Sequence, residues 1–78
     1  MEINFKSTED NYGNVIISLS NSDELLEVAN TLEFISKLLC NHISYDLDFD
    51  SNEITVFVND YYEFLTLRGK LLDHCAIA

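Results

Sequence analysis

Apolar and polar positions alternate twice near the start of the chain, and then the spacing changes. Ile3 and Phe5 share one face of a short segment over residues 2–6, and Val15, Ile17 and Leu19 share one face of a second. A period of two marks strands buried on one side. The pair predicts a hairpin, with the polar residues 7–14, including Gly13, read as its turn or loop. From residue 25 the apolar spacing becomes helical: Leu25, Val28, Ala29, Leu32, Ile35 and Leu39 fall on one stripe. Asn21, followed three residues later by Glu24, predicts the helix cap, with Ser20 and Ser22 competing for the position. Asp23, Glu24 and Glu27 crowd the first turns, where the positive end of the helix dipole favours anions.

The same order then recurs. Ile43, Tyr45, Leu47 and Phe49 alternate with Ser44, Asp46, Asp48 and Asp50, and Ile54, Val56 and Val58 alternate with Glu53, Thr55, Phe57 and Asn59. A tight turn over residues 50–53 would join them. With Ser51-Asn52 as a two-residue loop, Asp50 pairs with Glu53, Asp48 with Thr55 and Asp46 with Phe57. Asp60 and Glu63 predict a second capping box. The helix behind it carries Tyr61, Phe64, Leu65, Arg68, Leu71, Leu72 and Cys75, with Gly69 as a weak point inside it. Val15, Ile17 and Leu19 recur as Ile54, Val56 and Val58, 39 positions further on, and Glu24, Leu26 and Leu32 recur as Glu63, Leu65 and Leu71. The expected fold class is α+β: a small antiparallel four-stranded sheet in β-β-α-β-β-α order with two helices packed on one face. All of it forms one acidic domain, 1–78, divisible into two diverged β-β-α halves, 1–39 and 40–78.

Composition changes this picture at one point, the charge. Fourteen acidic residues stand against four basic ones, a formal net charge of −10 in 78 residues that are 47% hydrophobic. A compact domain with that much like charge repels itself. Seven of the acids have a structural or neutral place: Asp23, Glu24, Glu27, Asp60 and Glu63 at helix starts, and Glu9 and Asp10 in a loop. Asp46, Asp48, Asp50 and Glu53 do not. They share the sheet face that the helices leave uncovered, about 6.6 Å apart along the strand, with Glu2 extending the field from the first strand. Phe57 and Ile16 are the apolar residues on that face, and an aromatic set among charges has the composition of an interface anchor. Tyr62 offers a second anchor at the start of the last helix, whereas Tyr61 is expected to pack inward.

Other chemistries find little support. Asp46-x-Asp48-x-Asp50 matches the opening of a calcium loop, but Ser51 stands where glycine is needed and Phe57 where the bidentate glutamate should be. Cys40, His42, His74 and Cys75 have the atoms of a zinc site without its spacing, and both cysteines read better as small buried residues. No glycine-rich phosphate loop or nucleophile elbow is present, so no enzyme activity, cofactor or metal is expected. Two cysteines and the lack of an apolar leader or span point to the cytoplasm. Negative charge also opposes direct binding to nucleic acid or anionic membrane.

An ordinary solvated sheet face would show the same alternation, but the lopsided total charge favours a binding role. The expected function is an inhibitor that occupies the basic site of a nucleic-acid-handling protein. Its partner-binding residues would be Asp46, Asp48, Asp50, Glu53, Phe57, Glu2, Ile16 and Tyr62. In size and charge the chain resembles small phage anti-defence proteins of the anti-restriction and anti-CRISPR kind, without a shared motif. An immunity protein or antitoxin against a basic toxin, and a small homo-oligomeric adaptor, are the alternatives. A homodimer would have to avoid pairing the acidic faces.

Overall fold

The computed structural model describes residues 1–7 and 13–75. Four strands and two helices follow in the order β1 (Glu2–Ser7), β2 (Gly13–Ser18), α1 (Ser22–Leu38), β3 (Ser44–Asp48), β4 (Glu53–Val58) and α2 (Tyr61–His74). The strands form one antiparallel sheet in the order β1-β2-β4-β3. The α+β architecture expected from the sequence is therefore observed. The loop expected over residues 7–14 is in part strand, since Ser7 closes β1 and Gly13 opens β2. Its remainder, with Glu9 and Asp10, lies outside the described residues.

The core sits between the sheet and the helices. Val15, Ile17, Ile54 and Val56 of the two central strands are buried, as are Leu25, Val28, Leu32 and Ile35 of α1 and Phe64, Leu67 and Leu71 of α2. Two helix assignments shift. Leu39 is a half-exposed C-cap rather than a core residue, and on α2 Leu67 replaces Leu65, Arg68 and Leu72, which face outward. Gly13 is not a turn glycine: a Cβ there would meet the Phe5 ring at 2.1 Å, so its absence lets that ring lie over the strand. From this position Phe5 packs against Phe64 and edge-on against Tyr61.

Both helices start in the same way. Asn21 Oδ1 accepts from the Glu24 amide at 2.9 Å, and Asp60 Oδ1 accepts from the Glu63 amide at 2.8 Å. The two glutamates then accept the Ser20 and Asn59 amides, at 3.0 and 3.2 Å. Each cap thus satisfies donors that a helix end leaves orphaned. Buried Leu25, Val28 and Leu32 correspond to buried Phe64, Leu67 and Leu71 at the same spacing of 39 that links the caps. The central pairing obeys it too, for Ile16 faces Thr55, its own counterpart, while Val15 faces Val56 and Ile17 faces Ile54. β2 and β4 are therefore paired about a local pseudo-two-fold.

The α1–β3 connection is fixed at its start. Cys40 lies at φ 52, and the Cys40 and Asn41 amides donate to the Lys37 and Ser36 carbonyls. This is a Schellman close with cysteine where glycine is usual. Cys40 is consequently exposed rather than buried, while Cys75 is buried at the end of α2.

Candidate functional site: the uncovered sheet face

Pairing register arranges the outward side chains in three cross-strand rows. Glu2, Ser18, Glu53 and Asp48 form the first, Asn4, Ile16, Thr55 and Asp46 the second, and Lys6, Asn14, Phe57 and Ser44 the third. Three carboxylates occupy the first row, one the second and none the third. The third holds Lys6, the lone cation on this face among the described residues. The face is a charge gradient, steepest toward the β3–β4 turn.

That turn differs from the two-residue loop expected. Phe49, Asp50, Ser51 and Asn52 all belong to it, so Asp48 rather than Asp50 faces Glu53, Asp46 faces Thr55, and Ser44 faces Phe57. The physical reason is the Asp48 side chain. Its Oδ1 accepts from the Asp50 and Ser51 amides at 3.0 and 3.3 Å, turning the chain before the alternation ends. Asn52 completes the turn at φ 55, a conformation asparagine tolerates better than most residues. Phe49 is thrown out of the strand and half-exposed. The displacement is two residues, so every side chain that stays in the ladder keeps its face. Asp50 leaves the strand and projects from the tip, exposed.

The carboxylates are not equivalent. The amides of Ser51 and Asp50, with the Ser51 hydroxyl, hold Asp48 below the usual carboxylate range. Glu53 is half-buried and accepts from the Ser18 hydroxyl at 3.3 Å. Like charges directly opposite each other destabilise a sheet, and Asp48 and Glu53 are such a pair. Asp46 and Asp50 are exposed. The Leu19 amide donates to the Asn52 carbonyl at 2.9 Å, which ties the turn to the segment leading into α1. On the helix side of β3, Tyr45 donates to Glu33 at 2.6 Å, and this bond with partial burial pushes the phenol up to about 12.

Phe57 is 45% exposed at the opposite pole from Glu53, between Asn14 and Ser44 rather than among carboxylates. Ile16 lies half-buried in the middle row. Tyr62 is 78% exposed but sits on α2, away from this face. Tyr61 is half-exposed, with one ring edge on Phe5, so it packs inward only in part. The sheet thus brings together Glu2, Asp46, Asp48, Glu53, Ile16 and Phe57, with Asp50 at the rim and Tyr62 outside. Sequence reasoning missed Lys6 as the opposite pole and Ser18 as the Glu53 donor. Both would follow from the strand order, which alternation alone does not provide.

Among the described residues, no three of His, Cys, Asp and Glu converge as a metal-holding group, and no helix is long and apolar enough to cross a membrane. No family model, curated protein or solved structure matches this chain.

Proposed function

We propose that this protein is a binding module whose uncovered sheet face docks on a basic protein surface, of the kind that normally holds nucleic acid. The observation that carries the reading is the like-charge pairing of Asp48 with Glu53 in the row that also contains Glu2. Such pairing weakens the isolated domain and is relieved when cations neutralise it. Asp46 and Asp50 extend the same field along β3 and its turn. A blocked nucleic-acid site would make the protein an inhibitor.

The distribution of energy over the face separates this from a toxin-neutralising protein. In the charge-led reading, Asp46→Asn and Asp50→Asn together weaken binding more than Phe57→Ala, and the loss shrinks as salt rises. In the anchor-led reading Phe57→Ala costs more than both carboxylates, and salt matters mainly to the association rate. Calorimetric affinities of the three variants at low and high salt decide between them.

A further inference from the structure

The two edges of the sheet are built differently. On β3 the outward residues are Ser44, Asp46 and Asp48. Pairing β3 with a second β3 about Asp46 would set two aspartates face to face, which is how natural sheets blunt an edge. On β1 the outward residues are Glu2, Asn4 and Lys6. An antiparallel copy centred on Asn4 places Glu2 opposite Lys6 and Lys6 opposite Glu2, so the edge is complementary to itself. The inward residues agree, since the same register sets Ile3 against Phe5.

The neighbouring helix supports the same seam. Phe5 touches Tyr61, so that flank of α2 overhangs β1. Along it lie Tyr61, Leu65 and Leu72, exposed by 53%, 40% and 48%, together with Arg68. Helix α1 packs against the other flank, where Phe34 meets His74 edge-on at 5.3 Å. Ile3 and Phe5 are only half-buried, although Val15 and Ile17 beside them on β2 are fully covered. The β1 edge is therefore the least negative and most apolar border of the sheet, and it lies farthest from the Asp46 and Asp48 strand.

We infer that β1 is the seam of a symmetric homodimer, in which Asn4 faces its copy and Glu2 faces the partner's Lys6 on both sides of a two-fold axis. The contact is isologous and joins two sheets into one of eight strands, with helices on a common face. The acidic β3–β4 hairpins then stand at the far ends, which limits the repulsion between two chains of formal charge −10 each.

Sedimentation velocity from micromolar to millimolar chain at low ionic strength tests this. The expected result is a monomer–dimer equilibrium. Lys6→Glu alone, and Glu2→Lys alone, should each raise the dimer dissociation constant by about tenfold or more, because both cross-strand pairs become repulsive. An equimolar mixture of the two variants should regain the dimer, since each acidic edge then meets a basic one. Lys70→Glu, with the same charge change as Lys6→Glu but placed elsewhere, should leave it intact. Glu2 and Lys6 are exposed, and circular dichroism confirms that each variant folds. A strictly monomeric wild type would overturn the inference, and is the result expected if an extended segment of another protein covers β1. So would a dimer indifferent to both variants, or one the mixture fails to restore. None of these results bears on the acidic face, whose binding variants leave β1 untouched.

Discussion

At Asp48 two opposing demands fall on one carboxylate: it caps the β3–β4 turn through two amides and stands directly opposite Glu53. The hydrogen bonds are felt in its titration, since those from Ser51 and the Asp50 amide hold its pKa below the usual carboxylate range. A group lowered in this way stabilises the fold above its unfolded pKa, and that contribution disappears as pH falls through the folded value. Carboxyl NMR titration should therefore show Asp48 titrating below the usual carboxylate range. Asp48→Asn keeps an acceptor for the turn and should melt close to the wild type. Asp48→Ala should melt lower and show an altered chemical shift at Asn52. Equal melting of the two variants would deny the turn role. The residue scale is also where alternation misleads. Phe49 and Asp50 keep the strand period perfectly, and only the hydrogen bonds of Asp48 stop the ladder two residues early.

Among the elements, the helix starts are the most legible. Asn21 and Asp60 were readable because a cap acts within four residues and leaves a local signature. Their equal geometry, φ −158 with ψ 174 and φ −159 with ψ 178, predicts equal energetic weight. Asn21→Ala and Asp60→Ala should each cost about 1 kcal/mol by denaturant unfolding. A cost confined to one of them would show that tertiary packing holds the other helix start. The outward faces of the helices were less legible. Leu65 and Leu72 share the sequence character of core residues, yet both point outward, while the core position falls to Leu67. Apolar residues on two adjoining stripes look alike in a sequence, and only the sheet decides which stripe is buried.

Over the whole molecule, the strand order turns a scattered charge excess into a polarised face. Central placement of β2 and β4 sets Glu2, Glu53 and Asp48 in one row and moves Lys6 to the other end. The sequence could show that Asp46 and Asp48 share a face, because that depends on period alone. It could not show that Glu2 joins the row across two strands, because that depends on which strands are neighbours. The most direct measurement compares the wild type with an Asp46→Asn, Asp48→Asn, Asp50→Asn and Glu53→Gln variant, each immobilised and challenged with a whole-cell lysate, with bound proteins identified by mass spectrometry. The expected result is that the wild type retains a basic nucleic-acid-handling protein, that added duplex DNA or RNA displaces it, and that the folded variant loses it. Retention of the same protein by wild type and variant alike, undisturbed by nucleic acid, would contradict it.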